Sequence, residues 1–465
     1  MKGKADNVRV MALRALDAIA TGKGLPKDVL ERSADDLEQR DRAFLMELVY
    51  GVLRYRDTLD WMLRAFLKKP SGLKPFTMNN LRLAVYQITH MRVPDRAAVN
   101  ESVEIEKAFG THAVVVNGVL RQLLRNSHQL IIPSLEESPL QHIVLSTSSP
   151  QWLAERWLRR FGPTRTLALA QANNTTSAPT LRVNTIVTTR QEIARELDAL
   201  RIGYALCRYS PHGIRLTEHI PMAALDPLRG KVYIQDEASQ LVSFLLDPQE
   251  GDYCLDACSA PGGKATHMAA LGNDKLNIVA VDGSKNRVNR IIQNAQTLGI
   301  KSITPVVADI RALPPQQREF DKILLDAPCS SLGVMRKNPD IKYRHSEASL
   351  RQLSRHQLTL LETVSGHLKK GGLLAYSVCS TECDEAEDVV KEFLTKKEDF
   401  CIINNMDILK KNYGIDLSDF ADQRQASAVQ ASEPEAGAEP GPGLYRAFPD
   451  VHQTDGFFFT VMTRQ

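Results

Sequence analysis

The stretch Asp256-Ala-Cys-Ser-Ala-Pro-Gly-Gly-Lys264 follows a short apolar run at 253–257 and leads into residues with helical spacing. Gly262 and Gly263 allow the backbone to approach a ligand, and the start of the following helix offers free N–H groups. The spacing is not the Gly-x-Gly-x-x-Gly of dinucleotide-binding proteins, and no Ser or Thr directly follows Lys264 as in a P-loop. We therefore predict a strand, a ligand-binding turn and a helix.

Around this stretch, from residue 236 to the end, apolar runs alternate with amphipathic ones. Strands are predicted at 253–257, 277–281, 303–307, 321–326 and 372–378, and helices at 237–247, 263–271, 285–298 and 347–369. Such alternation is typical of a doubly wound α/β sheet, whose functional edge lies at the carboxyl ends of its strands. Residues 422–443 are rich in Ala, Gln, Ser, Glu, Pro and Gly, which predicts a disordered acidic insert before a final hairpin.

The part of the chain before this sheet has a different pattern. Residues 7–130 have helical apolar spacing throughout, which predicts an all-α domain, and 131–149 is interpreted as a linker. A helix starting at Pro150, strands at 181–186 and 214–216 and a helix at 192–200 predict a small α+β region. We thus expect a multidomain α and α/β protein with domains at 1–135, 136–235 and 236–465, the last with a Rossmann-like fold.

Composition limits the class of protein. The chain has 465 residues, enough for two or three domains, with 43% apolar and 24% charged residues, as in soluble globular proteins. No run approaches ~18 uncharged apolar residues, so no membrane span is predicted, and the N-terminus has no apolar signal core. Seven cysteines in a chain of this size do not indicate a disulfide framework. We expect a cytoplasmic monomer with free thiols.

Positive charge is concentrated in one region. The net charge is only +3, but residues 151–231 contain 12 Lys or Arg against 6 Asp or Glu. A local excess of this kind favours contact with nucleic-acid phosphates, although an ordinary solvated face would show the same count. Arg182, Arg208 and Arg215 are the predicted RNA contacts, and for Arg182 a surface salt bridge is the alternative.

Two acids follow the strands after the Gly-rich turn. Asp282 ends the second predicted strand and suits the two hydroxyls of a ribose. Asp309 ends the third, where a carboxylate can accept from an adenine amino group. Either acid alone could simply cap a helix. A Gly-rich turn, a ribose acid and an adenine acid at successive strand ends together predict S-adenosyl-L-methionine as the cofactor.

Two cysteines end strand-like runs fifty residues apart, at Cys329 and Cys379. Carbon 5 of cytosine accepts a methyl group only after a thiolate has added to carbon 6, and afterwards the carbon-5 proton must leave. Asp326-Ala-Pro-Cys329 places a carboxylate, which could act at ring N3, beside one of the thiols. Two thiols at this sheet edge indicate methyl transfer to cytosine, although a single cysteine is usually a small buried apolar residue.

A metal site is the other reading of the cysteines. Cys254 and Cys258, like Cys379 and Cys383, have Cys-x-x-x-Cys spacing. That spacing is only loosely zinc-like, no matching histidines accompany it, and Cys254 is expected inside a strand. We predict no metal.

At this point the chain resembles a known family, the RNA cytosine-5 methyltransferases. The motifs that carry the resemblance are Asp256–Lys264, Asp326-Ala-Pro-Cys-Ser-Ser-Leu-Gly-Val334 with Arg336-Lys-Asn-Pro-Asp340, Tyr376-Ser-Val-Cys-Ser380, and Pro449-Asp-Val-His452 with Asp455-Gly-Phe-Phe458. The helical segments Arg40-Asp-Arg-Ala-Phe44 and Tyr50-Gly-Val-Leu-Arg54 resemble the antitermination factor NusB. That combination is typical of the bacterial 16S ribosomal RNA methyltransferase B family, also called Sun or Fmu.

The resemblance implies roles for individual residues. Cys379 would be the nucleophile, Cys329 would assist product release, and Asp326 would complete the catalytic set. It also implies 16S rRNA as partner, with cytosine 967 as the target type. Val378 and Ala386 stand where the family usually has Thr and Asn. The cofactor-binding residues that we predict are Cys258, Ser259, Ala260, Pro261, Gly262, Gly263, Lys264, Asp282, Asp309 and Asp326.

Two other functions stay open at this stage. The same chemistry could act on another RNA, such as transfer RNA, and the NusB-like helices favour ribosomal RNA only by analogy. A non-catalytic RNA-binding or antitermination protein, acting through residues 1–130, would not need the two thiols.

Overall fold

The computed structural model describes residues 7–34, 37–67, 72–313, 318–421 and 443–465. They divide into two units, one of residues up to Asn174 together with Asn338–Arg344, and one of Thr175–Lys337 and His345–Gln465. The predicted insert at 422–443 lies, except for Gly443, outside the described residues. The domain boundaries near 135 and 235 stay a prediction. In the described part of the chain, no helix has the length and apolar character needed to cross a membrane.

The first unit is helical, as the apolar spacing predicts. Its helices are α1 (Val8–Ala20), α2 (Pro26–Ala34), α3 (Gln39–Arg64), α4 (Pro75–His90), α5 (Asp95–Phe109), α6 (Ala113–Asn126), α7 (Pro139–Thr147) and α8 (Gln151–Asn174). One expectation was wrong, since the predicted linker at 131–149 contains α7. Pro139 suits the first turn of a helix, and Ile143 and Thr147, one turn apart, are both buried.

Helix α3 is kinked at Tyr55, and side chains from two distant segments bind its backbone there. Ser148 Oγ accepts from the N–H groups of Asp57 at 2.8 Å and of Thr58 at 3.3 Å. Lys342 Nζ donates to the Arg54 carbonyl at 2.7 Å. At a kink, backbone N–H and C=O groups lose their helical hydrogen-bond partners and can bond to side chains instead. Lys342 is buried, and burial lowers its pKa to about 7. It lies in the short segment Asn338–Arg344, which belongs to the helical unit although the chain before and after that segment belongs to the other unit.

The second unit begins with a small antiparallel sheet. Its strands are β1 (Thr180–Val183), β2 (Tyr204–Leu206), β3 (Gly213–Leu216) and β4 (Val232–Ile234), in the order β2-β3-β1-β4, and its helix is α9 (Arg190–Ala199). Thr189 and Glu192 form a capping box that starts α9. Leu181 and Val183 pack with Ile193 and Leu197 of α9 in one apolar core, which confirms a small α+β region.

Arg182 lies on the opposite face of β1, and its predicted RNA contact is wrong. Side chains alternate along a strand, so that Arg182 points away from the core of the small sheet, towards the Gly-rich turn. Its guanidinium donates to the Gly263 carbonyl, to Thr266 Oγ1 at 2.9 Å and to Gln235 Oε1 at 2.5 Å. Only 1% of the residue is exposed, and burial lowers its pKa to about 9. A phosphate has no access to it.

A large mixed sheet forms the rest of the second unit. Its strands are β5 (Tyr253–Asp256), β6 (Asn277–Asp282), β7 (Ile303–Val307), β8 (Phe320–Asp326), β9 (Leu368–Val378), β10 (Phe400–Ile402), β11 (Leu444–Ala447) and β12 (Phe457–Arg464). The order is β10-β12-β9-β8-β5-β6-β7, with β11 paired to β12; β5 to β9 are parallel and β12 is antiparallel to β9. All five predicted strands are present. The final hairpin, predicted with arms at 448–452 and 455–459, is right only for its second arm, which lies in β12. The first arm is the short helix α17 (Pro449–His452), and β11 just before it pairs with β12 instead.

Helices cover both faces of this sheet. They are α10 (Glu237–Leu245), α11 (Gly263–Leu271), α12 (Lys285–Leu298), α13 (Glu347–Ser365), α14 (Glu387–Lys396), α15 (Met406–Tyr413), α16 (Ser418–Ala421) and α17 (Pro449–His452). Residues of α10, α11, α12 and α15 share one apolar core with the sheet, and residues of α13 and α14 share the other. The chain winds from β5 outwards through β6 and β7, and then in the other direction through β8 and β9. This reversal between β5 and β8 opens a crevice at their carboxyl ends, where ligands bind in such folds.

Replacing Ser148 by Ala should destabilise the helical unit, because two backbone N–H groups of α3 lose their buried acceptor. The expected loss in the free energy of unfolding is about 1–3 kcal/mol, the scale of an unsatisfied buried polar group. Chemical denaturation followed by circular dichroism measures it. Ser127→Ala, at an exposed helix end, is the matched control, and equal stability of the two variants would contradict this account of the kink.

Candidate active site

The Gly-rich turn between β5 and α11 is tightly held by its neighbours. Ser259 N–H donates to the Val281 carbonyl at 2.9 Å, and Gly262 N–H donates to the Ser259 carbonyl at 2.7 Å. Gly262 has a φ of +96°, and a Cβ there would lie 3.3 Å from Ile291 Cα. Asn294 donates to the Pro261 carbonyl at 2.8 Å. The turn is therefore rigid, and a side chain at position 262 would be strained.

Two polar side chains of this turn, Asp256 and Ser259, are buried where a ligand could contact them. Asp256 is buried, and its carboxylate has the Ser259 hydroxyl and the Ala265 N–H as its polar neighbours, without a hydrogen bond of good geometry to either. Burial raises the pKa of Asp256 to about 7. Buried polar groups in folded proteins are nearly always satisfied. A small polar cofactor with amino and hydroxyl groups fits these residues.

The two strand-end acids differ in their surroundings. Asp282 is buried after β6, where it accepts from the Ser284 N–H at 3.1 Å and pairs with Arg287 at 3.2 Å. Asp309 is largely exposed, accepts from the Arg311 N–H at 3.0 Å and pairs with the Arg311 side chain, whose hydrogen bond lowers the pKa of Asp309 to about 2. Both lie at the predicted strand ends, and their contacts are also those of capping residues. Their roles towards a cofactor stay predictions.

The structure brings the two predicted thiols together. Cys329 Sγ and Cys379 Sγ are 3.2 Å apart, and Cys379 Sγ also lies 3.4 Å from Ser331 Oγ. The hydrogen bond between the sulfurs lowers the pKa of Cys379 and raises that of Cys329. These opposite shifts make Cys379 the more readily ionised thiol of the pair.

Asp326 joins the thiols to the Gly-rich turn. Lys264 Nζ, at the start of α11, donates to Asp326 Oδ2 at 2.6 Å, and Ser377 Oγ donates to Oδ1 at 2.7 Å. Lys264 Nζ also lies 5.1 Å from the ring centroid of Phe457. The cation lies close enough to the thiols to lower the pKa of Cys379 further. The Lys264–Asp326 ion pair thus connects the turn that follows β5 to the carboxyl end of β8, beside Cys379.

A contact between two glycines fixes the loop that follows Cys329. Gly333 N–H donates to the Cys379 carbonyl at 3.0 Å, and Gly456 N–H donates to the Gly333 carbonyl at 2.8 Å. A Cβ on Gly333 would lie 1.8 Å from the Gly456 carbonyl oxygen. Glycine is therefore required at 333 and 456 because the backbones of these two residues pass too close to each other for a Cβ. The sequence alone did not indicate this role.

Sequence reasoning also missed Glu385, which is fully buried behind the thiols. Its Oε1 accepts from the Ser330 N–H at 2.7 Å and from Gln357 Nε2 at 3.0 Å. Its Oε2 accepts from Ser330 Oγ at 2.5 Å and from Ser380 Oγ at 2.6 Å. The signal present in the sequence was that a serine directly follows each of the two cysteines.

The cysteines of the metal alternative do not lie together as a ligand set. Cys254 is buried inside β5, as expected. Among the described residues, no group of three or more His, Cys, Asp or Glu side chains is arranged to hold a metal ion.

Comparison with known families covers most of the chain. Residues 243–463 match "16S rRNA methyltransferase RsmB/F", residues 6–125 match the NusB family, and residues 149–223 match the ferredoxin-like domain of RsmF/B-like methyltransferases. The N-terminal helices are thus NusB-like, and the small sheet belongs to a ferredoxin-like domain.

Curated relatives resemble the chain over nearly their whole length. The chain is 34% identical over 406 residues to the probable ribosomal RNA small subunit methyltransferase B of Bacillus subtilis, covering 85% of this chain and 90% of that one. It is 33% identical over 401 residues to ribosomal RNA small subunit methyltransferase B of an Enterobacter species, covering 84% and 91%.

Solved structures share the fold. The structure titled PH0851 has a TM-score of 0.76 at 25% identity and covers 98% of both chains. A methyltransferase homolog from Pyrococcus horikoshii has a TM-score of 0.59 at 26% identity, covering 70% of this chain and 99% of that one. The chain therefore belongs to the ribosomal RNA small subunit methyltransferase B family, as an enzyme that uses S-adenosyl-L-methionine as its cofactor.

Proposed function

We propose that the enzyme methylates carbon 5 of a cytosine in 16S ribosomal RNA, at the position corresponding to cytosine 967. The observation that carries this proposal is the thiol pair, with Cys329 and Cys379 Sγ atoms 3.2 Å apart at the carboxyl edge of the parallel sheet. Carbon-5 methylation of cytosine needs a nucleophile at carbon 6 and a later proton acceptor at carbon 5. The relatives named as ribosomal RNA small subunit methyltransferase B support the RNA class.

The cofactor would be held along the carboxyl ends of β5, β6 and β7. The turn Cys258–Lys264 would surround its methionine part, Asp282 would accept from the ribose hydroxyls, and Asp309 would accept from the adenine amino group. When bound, S-adenosyl-L-methionine supplies an electrophilic methyl group. The Lys264–Asp326 ion pair, which connects the turn to the strand end before Cys329, supports a place for the cofactor beside Asp326.

The thiols would act in succession. The Cys379 thiolate adds to carbon 6, so that a sulfur–carbon bond forms and the electron pair of the ring double bond becomes available at carbon 5. Asp326 would lie against the cytosine edge and help to position the ring. Throughout this stage the shared proton stays on Cys329.

Cys329 would act once carbon 5 carries the methyl group. The adduct converts Cys379 into a neutral thioether, so Cys329 no longer shares its proton with a thiolate and would release it to solvent water. It then takes the carbon-5 proton; the electron pair of that C–H bond restores the ring double bond, and Cys379 leaves as a thiolate. The geometry of the pair supports this order of events.

Single substitutions of the two cysteines should give opposite results. Cys379→Ala should abolish both methylation and covalent capture of RNA, because no adduct can form. Cys329→Ala should accumulate a nuclease-sensitive protein–RNA adduct on denaturing gels, because Cys379 is not expelled. Cys401→Ala, a thiol on β10, is the matched control and should behave as wild type. An adduct in Cys379→Ala but not in Cys329→Ala would show that the roles are reversed.

Replacing Asp282 by Ala should weaken cofactor binding by about 1.5–3 kcal/mol, the scale of a hydrogen bond to a charged group. Isothermal titration with S-adenosyl-L-methionine measures the loss. Arg287→Ala removes the same ion pair while keeping the carboxylate. Equal losses in the two variants would mean that Asp282 acts only through Arg287, which contradicts the ribose role.

Bisulfite sequencing tests the substrate directly. Purified enzyme, cofactor and unmodified 16S rRNA should yield one protected cytosine, at the position corresponding to 967, and Cys379→Ala enzyme should yield none. Transfer RNA incubated in parallel should stay unmodified. Protection in transfer RNA alone would replace the proposed substrate, and protection in neither RNA would favour the non-catalytic RNA-binding alternative.

A further inference from the structure

Glu385 connects the two turns that carry the thiols. The carboxylate receives two bonds from Ser330, the residue after Cys329, and one from Ser380, the residue after Cys379. The fourth bond comes from Gln357 on α13, which also donates to the Pro328 carbonyl at 3.0 Å. All of these groups except Pro328 are buried. A single side chain therefore fixes both cysteine turns from behind.

A carboxylate satisfies all of these contacts at once. The Ser330 N–H and the Gln357 NH₂ group donate to Oε1, and the two serine hydroxyls donate to Oε2. An ionised carboxylate has acceptor sites for all four donors, whereas a Gln side chain would present its NH₂ group to the serine pair, whose hydroxyls would have to accept rather than donate. Its own backbone is anchored too, since Tyr376 OH donates to the Glu385 carbonyl at 2.6 Å.

The carboxylate also makes the two thiols electrostatically unequal. Its negative charge adds to the raised pKa of Cys329, after the larger effects of the bond to Cys379 and of burial. Near Cys379, the charge of Asp326 raises the pKa of the thiol, and Lys264, the ion-pair partner of Asp326, lowers it. The Glu385 carboxylate acts in one direction only, against ionisation of Cys329, and so favours the proton there.

We propose that Glu385 is a positioning residue for the methyl transfer, which holds the Cys329 and Cys379 turns in register by bonding to the serine that follows each. The inference rests on the proposed use of both thiols. Glu385 touches neither the substrate nor the cofactor in this account. Glu385 acts on the positions of the two sulfur atoms only through Ser330 and Ser380.

Alkylation of the full-length enzyme by iodoacetamide at a series of pH values tests the proposal without any RNA. Peptide mass spectrometry reports each cysteine separately. In wild type, Cys379 should react at lower pH than Cys329. In Glu385→Gln, the midpoint for Cys329 should fall by at least one pH unit, because the anion beside it is gone. Failure of the RNA assays alone would overturn the proposed function but not this result.

Steady-state kinetics of the Glu385 variants provide a second, independent measurement. Glu385→Gln should lower kcat at least tenfold while KM for S-adenosyl-L-methionine changes less than twofold, because the cofactor turn is not involved. Glu385→Asp keeps the charge but shortens the reach, so it should lower kcat and leave the alkylation midpoint of Cys329 near its wild-type value.

Asp321→Asn is the matched structural control. Asp321 is a buried carboxylate at the opposite end of β8, where it accepts from the Tyr253 N–H at 2.7 Å and pairs with Lys369. It should lose stability without changing the order of thiol reactivity. If Glu385→Gln and Asp321→Asn give the same alkylation profiles, Glu385 serves folding alone and the proposal is wrong.

Ser380→Ala covers the case in which Glu385→Gln does not fold. It removes the bond to Glu385 on the Cys379 side, together with the longer contacts of Ser380 Oγ with the Glu382 N–H and Ser330 Oγ, and Ser330 keeps both of its bonds to Glu385. We expect kcat to fall at least threefold with unchanged cofactor affinity. A wild-type kcat in Ser380→Ala would overturn the proposal that Glu385 positions the Cys379 turn.

Discussion

The ion pair between Lys264 and Asp326 is the contact on which the arrangement of the site depends. Lys264 begins the helix after the Gly-rich turn, and Asp326 ends β8, so their 2.6 Å contact joins the two strands where the winding of the sheet reverses. Parallel strands share one edge for their carboxyl ends, and this edge collects the turn, the acids and the thiols. The pair couples the Gly-rich turn to the strand end that leads to Cys329, beside the sulfur with the lowered pKa.

The fold was largely predictable because its signals are local. The strand ending at Asp326 and the helix at 263–271 follow from apolar periodicity and glycine placement, and the structure has them at the predicted positions. The errors arose where tertiary contacts decide. From the sequence alone, Arg182 was predicted to be a cation at the surface. Because side chains alternate along a strand, it points instead to the Gly263 carbonyl. The residues 131–149 read as linker because the helix α7 depends on a few buried residues only.

The candidate site was predictable only in part. Motifs identified Cys329, Cys379 and Asp326, because cytosine chemistry needs these residue types at strand ends. Glu385 carries no such chemistry of its own, and its importance comes from four donors that converge on it from three segments of the chain. Gly333 and Gly456 are likewise explained only by their mutual approach. Hydrogen-bond convergence between distant segments leaves no periodic trace in a sequence.

The assignment of Asn338–Arg344 to the helical unit has a consequence for protein synthesis. Lys342 and Tyr343 supply the groups that contact Arg54 and Ser148, yet they emerge from the ribosome about 170 residues after Asn174. At ~5–20 residues per second, the helical unit therefore waits on the order of 10–30 s for its last segment. During that interval the kink in α3 lacks one of its partners. The order of translation thus makes completion of the N-terminal unit conditional on the first half of the methyltransferase sheet, β5 to β8, having been made.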